Sequence, residues 1–82
     1  MPAKEPKRQG QPLRISDVAR QAAVSKQTVE YYILLGLLTP RRDSAGRRMF
    51  GGQDLRRVKL IRKLNQSGYT LAEIRQTFLK GR

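Results

Sequence analysis

The sequence predicts a mainly α-helical domain of about four helices with one small β-hairpin. Short segments with apolar residues at helical spacing account for the helices. Between residues 37 and 50, a proline and a central Ser-Ala-Gly group interrupt that spacing and indicate a hairpin. Eighty-two residues are enough for one domain with a small core. We place the domain at residues 13–80, after a disordered basic arm at residues 1–12 that contains three prolines.

Two short helices joined by a tight turn are expected first. Ser16 is positioned to cap a helix over residues 17–22, and residues 23–24 form the turn. Ser25 caps a second helix over residues 26–35. This arrangement is a helix-turn-helix, in which the second helix enters the major groove of DNA and its first residues meet the base edges.

The remaining elements follow the hairpin. Apolar residues at helical spacing predict a third helix over residues 53–66, with basic residues along its opposite side. Residues 70–73 read Thr-Leu-Ala-Glu, the capping-box pattern that opens a helix. A fourth helix is therefore expected from that point, with Leu71, Ile74 and Phe78 on one side.

The first turn of the second helix carries the candidate base-reading side chains. All are polar, and they are Ser25, Lys26, Gln27 and Thr28. Lys26 can donate to guanine acceptors, and Gln27 can bond adenine through both of its polar atoms. The alternative is a plain helical hairpin whose first turn is polar because capping residues are polar.

Positive charge dominates the composition and indicates a polyanionic partner. Eighteen Lys and Arg face six acidic residues, for a formal net charge of +12. Residues 41–63 alone hold nine basic and two acidic residues. The hairpin arginines form a predicted wing on the sugar-phosphate backbone, and they are Arg41, Arg42, Arg47 and Arg48. The alternative is a solvated loop.

Several function classes are disfavoured by what the composition lacks. The chain has no cysteine and no histidine, so disulfides and thiolate or imidazole metal sites are excluded. We expect no cofactor and no enzymatic activity, because the usual catalytic bases are scarce. The absence of cysteine fits the cytoplasm. No apolar stretch approaches the roughly 20 residues that span a bilayer, and residues 1–12 lack a secretory h-region.

The order of the elements resembles the N-terminal winged-helix domain of MerR-family transcription regulators over about residues 14–79. Four motifs carry the resemblance, in chain order: Thr28-Val29-Glu30-Tyr31-Tyr32, Gly36-Leu37-Leu38, Gly46-Arg47-Arg48-Met49-Phe50 and Gly68-Tyr69-Thr70-Leu71-Ala72-Glu73-Ile74. The resemblance implies that Thr28 faces the groove and that Tyr31 and Arg48 contact the DNA backbone. It also implies that Tyr32, Leu37 and Phe50 mostly pack.

Two departures from the family pattern have consequences. Glu30 stands where the family has an arginine, so it must point away from phosphate, pair with a neighbouring arginine, or accept from a cytosine amino group. Ile33 and Leu34 stand where the family has polar residues. We expect both to lie outside the core and to contact a second subunit or a partner protein.

Family members usually continue into a long dimerisation helix and an effector domain, whereas this sequence stops at Arg82. We expect either a DNA-binding part of a longer regulator or a short protein that binds DNA alone or cooperatively. The predicted function is sequence-specific binding of double-stranded DNA in transcription regulation. An excisionase-like or terminase-like architectural protein is the alternative, and an RNA-associated protein is less favoured because no set of RNA-stacking aromatics is present.

Overall fold

The computed structural model describes residues 12–80, apart from the side chains of the last two residues of that range. Four helices and two strands occur in chain order: α1 Ile15–Ala22, α2 Lys26–Leu34, β1 Arg41–Arg42, β2 Arg48–Met49, α3 Gly52–Gln66 and α4 Leu71–Lys80. The strands form one antiparallel hairpin. This confirms the predicted fold class. The arm predicted for residues 1–12 lies outside the described residues except for Pro12.

Helix α1 begins earlier than the sequence predicted. Its N-cap is Arg14, and Ser16 lies inside the first turn, so the prediction of Ser16 as cap is wrong. The reason is Asp17, whose carboxylate accepts a hydrogen bond of 3.0 Å from the Arg14 amide. That bond ties the residue before the helix to its third position, as the acidic member of a capping box does.

The turn and the start of α2 agree with the prediction. Ala23 adopts a left-handed conformation with φ +59°, and the Val24 amide donates to the Ala19 carbonyl at 2.9 Å. The Ser25 hydroxyl accepts from the Thr28 amide at 3.0 Å, which satisfies one of the unpaired donors at the helix start. Helix α2 ends one residue before the predicted limit, and Gly36 follows it with φ +81°.

The hairpin is closed by a turn organised around one carboxylate. Asp43 accepts from the amides of Ala45 and Arg47, each at 2.9 Å. The strands pair Arg42 with Arg48 directly opposite. Beyond the hairpin, Leu13 and Phe50 exchange two backbone hydrogen bonds of 2.8 and 2.9 Å, a pairing that the sequence did not predict.

Helices α3 and α4 occupy the predicted positions, with α3 starting one residue early. The Thr70–Glu73 capping box is confirmed in both directions. The Thr70 hydroxyl accepts from the Glu73 amide at 3.0 Å, and the Glu73 carboxylate accepts from the Thr70 amide at 2.8 Å.

One apolar cluster holds these elements together. Its buried members come from every helix and from both sides of the hairpin: Leu13, Val18, Ala19, Ala22, Val29, Tyr32, Leu37, Leu38, Phe50, Val58, Ile61 and Ile74. Helix α1 packs on α2 and α3, and α3 packs on α4. The packing expected from the family resemblance is confirmed, because Tyr32, Leu37 and Phe50 are at most 4 % exposed. Within residues 12–80, no helix has the length and apolar character needed to cross a membrane.

Two arginines attach α4 and α3 to the loop after α2. Arg75 donates through Nε to the Leu35 carbonyl at 2.6 Å. Arg57 donates to the Leu37 carbonyl at 3.3 Å, and its guanidinium lies 4.8 Å from the centre of the Phe78 ring. These side chains hold the C-terminal half of the domain against the segment that leads into the wing.

Candidate nucleic-acid interface

Helix α2 turns one side away from the core. Val29 and Tyr32 are buried, and the exposed residues recur at helical spacing on the other side. This outer face of α2 consists of Lys26, Gln27, Glu30, Tyr31 and Leu34. The polar residues occupy its first two turns, and the apolar Leu34 lies at its end.

The four candidate base-reading residues divide into two pairs. The hydroxyls of Ser25 and Thr28 lie 2.9 Å apart, and the Ser25 hydroxyl also accepts from the Thr28 amide. Both hydroxyls therefore take part in capping the helix. Lys26 and Gln27 are exposed, and in the described part of the chain their side chains form no hydrogen bond or ion pair. Their side chains are available to a ligand.

An open cleft joins four of the nine predicted site residues. Ser25, Gln27, Thr28 and Tyr31 line it together with residues of α2, α3 and α4, namely Tyr32, Asn65 and Leu71. Tyr31 is 51 % exposed. Burial raises the pKa of the Tyr32 hydroxyl above its usual value and keeps it neutral.

Asn65 lies on this surface although it was not among the predicted site residues. Its side-chain amide donates to the Tyr69 carbonyl at 2.8 Å across the turn between α3 and α4. A polar residue in the last turn of a helix is unremarkable in a sequence. Its place in the cleft beside the start of α2 depends on how α3 packs in the folded domain.

The strand register distributes the wing arginines over two faces. Residues directly opposite in an antiparallel pair share a face, and successive residues alternate. Arg42 and Arg48 therefore share one face, and Arg41 and Met49 share the other. Consistent with this, Arg41 and Met49 line a second cleft beside the start of α3, together with Gln53. The hairpin does not present all its arginines to one side.

Two of the wing arginines brace the turn. Arg42 donates to the Gly46 carbonyl at 2.6 Å, and Arg47 pairs with Asp43 at 3.3 Å. The hydrogen bond from the Arg47 amide has the largest effect and lowers the pKa of Asp43 below its usual value. Burial opposes this shift, and the Ala45 amide and the Arg47 charge add to the lowering. Arg47 remains 61 % exposed. The Arg41 side chain has no hydrogen bond or ion pair within the described residues.

Arg48 forms a two-pronged ion pair with Glu30. Nη1 donates to Oε1 at 2.9 Å and Nη2 to Oε2 at 2.6 Å. Of the three expectations for Glu30, pairing with a neighbouring arginine is the one that the structure adopts. The hydrogen bond from Arg48, and then its charge, lower the pKa of Glu30 from its usual value. The pair is partly covered, with Arg48 26 % and Glu30 50 % exposed.

The basic side of α3 adds exposed cations outside the wing. Arg56, Lys59 and Lys63 are exposed and lie at the predicted helical spacing. Arg57 differs, because it is directed to Leu37 and Phe78. The positive charge of residues 41–63 therefore serves both the surface and the packing of the domain.

Ile33 and Leu34 separate in the structure. Leu34 is 80 % exposed, as predicted. Ile33 is half-buried and packs against the core, so the prediction that it lies outside the core is wrong. Ile33 is four residues after the buried Val29 and therefore continues the packing face of α2.

Among the described residues, no three acidic side chains gather in a way that could hold a metal ion.

The chain is similar to known regulatory proteins. Residues 13–80 match the model of the MerR HTH family regulatory protein. A mercuric resistance operon regulatory protein from Bacillus cereus is 39 % identical over 62 residues, which cover 74 % of this chain and 47 % of that protein. The HTH-type transcriptional regulator CueR from Bacillus subtilis is also 39 % identical over 62 residues, covering 76 % of this chain and 43 % of CueR.

A solved structure has the same fold together with nucleic acid. The crystal structure of HiNmlR, a MerR family regulator lacking the sensor domain, bound to promoter DNA, matches with a TM-score of 0.75 and 25 % sequence identity. The match covers 88 % of this chain and 58 % of that one. The chain spans about half the length of the curated relatives it matches, 47 % and 43 %.

Proposed function

Because the chain belongs to the MerR HTH family of regulatory proteins, we propose that it binds a specific double-stranded DNA site in transcription regulation. The observation that carries this proposal is the pair of long polar side chains, Lys26 and Gln27, left without partners within residues 12–80 at the start of a helix that the rest of the domain holds outward. The net charge of +12 supports a polyanionic partner.

In this proposal the first turn of α2 enters the major groove. Lys26 donates to guanine O6 or N7, and Gln27 accepts from and donates to adenine. The hydroxyls of Ser25 and Thr28 bond bases or phosphates through the donor and acceptor positions that their mutual hydrogen bond does not use. The hydroxyl of Tyr31, which is 51 % exposed, donates to a phosphate oxygen one turn further on.

The wing supplies the backbone contacts. The Arg41 side chain is unpartnered in the described chain, and Arg42 and Arg47 each keep N–H donors beyond those they use inside the turn. Such contacts set register and provide affinity without reading sequence. Arg48 belongs to the same interface through its pair with Glu30.

The family assignment favours regulation over an architectural role. The matching family consists of regulatory proteins, and the relative CueR is a transcriptional regulator. The structure of the neighbour HiNmlR was solved in complex with promoter DNA. The comparisons do not favour the excisionase-like or terminase-like alternative. A cytoplasmic location, expected from the lack of cysteine, is part of the proposal.

Selection of bound sites from random duplexes tests the proposal most directly. We expect a defined motif, whose symmetry and half-site spacing report how copies are arranged. The selected duplex should then shift amide signals of residues 25–31 and 46–50 in a labelled sample. Absence of salt-sensitive binding to any duplex, or unshifted signals in both segments, would overturn the proposed function.

We further propose that Leu34 contacts a second copy of the chain or a partner protein. An 80 % exposed leucine at the end of an outward helix face supports this, and Ile33 contributes only what its core packing leaves exposed. Leu34→Lys should lower the association measured by sedimentation, without changing thermal stability. Ile33 is unsuitable for this test because its substitution would disturb the core. Unchanged sedimentation of Leu34→Lys, compared with the parent at equal concentration, would remove the proposal.

A further inference from the structure

The wing, residues 41–49, makes its polar contacts almost entirely within itself. Its hydrogen bonds and ion pairs join Arg42 to Gly46 and Asp43 to its neighbours in the turn. In residues 12–80, one polar contact connects a wing residue to a helix, and it is the pair between Arg48 and Glu30 of α2. The two residues are 18 positions apart in sequence.

The buried apolar residues lie at the base of the wing, and Met49 is the one half-buried apolar residue within residues 41–49. Leu38 before β1 and Phe50 after β2 are each 1 % exposed, whereas both residues of β1 and the turn residues 44–47 are exposed. A two-stranded hairpin alone is marginally stable in water. The angle of the wing to α2 therefore depends on the contacts between the two elements. The polar contact between them is the Arg48–Glu30 pair.

The position of Glu30 needs an explanation, because a carboxylate on the outer face of α2 repels DNA. A negative charge there lowers the affinity for phosphate unless it is neutralised. Arg48 neutralises it with parallel N–H···O bonds, a geometry that fixes direction as well as distance. Because each Nη uses one hydrogen, Arg48 retains Nε–H and one further hydrogen on each Nη.

We propose that Glu30 is a positioning residue for the wing, acting through Arg48, and that this pair stays formed when DNA is bound. The inference rests on the proposed DNA-binding function. The pair adds no net charge to the interface, so phosphate neutralisation by the wing falls to the arginines outside it. Glu30 thus serves recognition by holding the wing at a set angle to the helix that enters the groove.

A charge swap separates this role from a direct phosphate contact. Arg48→Glu places two carboxylates together and should weaken binding to the selected duplex by about tenfold or more. The double variant Glu30→Arg, Arg48→Glu has the same net charge as the parent and can re-form the pair in reverse. If Arg48 positions the wing, the swap should recover affinity to within about threefold of the parent, because exposed pairs differ by a few-fold at most. If Arg48 binds phosphate itself, the swap should remain as weak as Arg48→Glu, which would overturn the inference.

A measurement without DNA keeps the test independent of the proposed function. Hydrogen exchange of the Asp43 and Arg47 amides, which are hydrogen-bonded within the wing, should quicken in Arg48→Glu and return to the parent rate in the swap. Unchanged exchange in Arg48→Glu would also overturn the inference. Arg41→Gln is the matched control: it removes a wing cation without a partner in the described chain, so it should weaken DNA binding and leave wing exchange unaltered. If the parent protein itself binds no DNA, the proposed function fails, whatever the exchange measurement shows.

Discussion

Neighbouring residues in the first turn of α2 differ in what their polar groups are free to do. Ser25 and Thr28 bond to each other and to the helix backbone, whereas Lys26 and Gln27 point their longer side chains outward. The hydroxyls hold the turn in shape because they satisfy an amide that the helix leaves unpaired. The base-reading capacity of the turn is therefore concentrated in the two long side chains.

Gln27→Ala should change which DNA sequence is preferred more than it changes general affinity. Removing an amide that bonds adenine through two atoms relaxes discrimination at one base pair by about 1–3 kcal/mol. Site selection with the variant measures this. Gln21→Ala, on the exposed side of α1, is the matched control and should select the parent motif. An unchanged motif with Gln27→Ala would exclude this residue from base readout.

Acid should loosen the wing turn through Asp43. Hydrogen bonds from the Arg47 and Ala45 amides lower the pKa of this carboxylate in the folded state. The unfolded value is about 3.9, so the stabilisation is fully present above that pH and is lost as the pH falls through the lower folded pKa. The amide signals of residues 45 and 47 should therefore hold steady from neutral pH to about pH 4 and move below it.

Asp43→Asn provides the comparison for this titration. The side-chain oxygen can still accept one amide hydrogen, but the group no longer titrates and no longer pairs with Arg47. Its turn signals should show no acid transition in that range. A parent titration midpoint above the ordinary aspartate value would contradict the expected direction.

At the scale of single elements, local patterns predicted a helix start wherever a typical capping residue makes the stabilising contact. The Ser25 cap and the Thr70–Glu73 capping box each join residues three apart, and both were predictable. The start of α1 was missed because arginine is not a typical cap residue, although the Asp17 carboxylate supplies the bond. The Leu13–Phe50 bridge was missed because its partners are distant in sequence and no pattern links them.

The same reasoning explains how far the candidate site could be predicted. The polar residues at the start of α2 and the arginines of the wing could be predicted from residue type and spacing alone. Their division over two faces depends on strand register, and the choice of Glu30 among its three alternatives depends on the docking of the wing. Asn65 joins the cleft because of how α3 packs in the folded domain. These are tertiary facts that a local pattern does not contain.

Thr70→Ala should lower the free energy of unfolding by about 1 kcal/mol, because it removes the hydroxyl that caps α4. Thermal or urea unfolding measures the change. Thr77→Ala is the control within the same helix, since its exposed hydroxyl bonds back to the Glu73 carbonyl and caps nothing. We expect little change there, as alanine favours the helix interior. An equal loss of unfolding free energy in the two variants would show that the Thr70 cap is not the source of the stabilisation.

At the scale of the whole molecule, charge and packing have separate tasks. The core contains no buried polar or charged residue among those described, so the cations lie at or near the surface. Some are engaged in the structure, as Arg48 is with Glu30 and Arg57 is with Leu37 and Phe78. The cations left over determine how strongly the domain attracts a polyanion.

The dependence of DNA affinity on salt tests this division. If about six phosphates are neutralised, the logarithm of the association constant should fall against the logarithm of salt concentration with a slope of roughly −5. Fluorescence anisotropy with the selected duplex, at several salt concentrations, gives the slope directly. Arg41→Gln should make it shallower by about 0.9, the contribution of one released counterion. The swap of Glu30 and Arg48 should leave it unchanged, because the pair is neutral in either orientation. A parent slope near zero would mean that the surplus positive charge is not what holds the DNA.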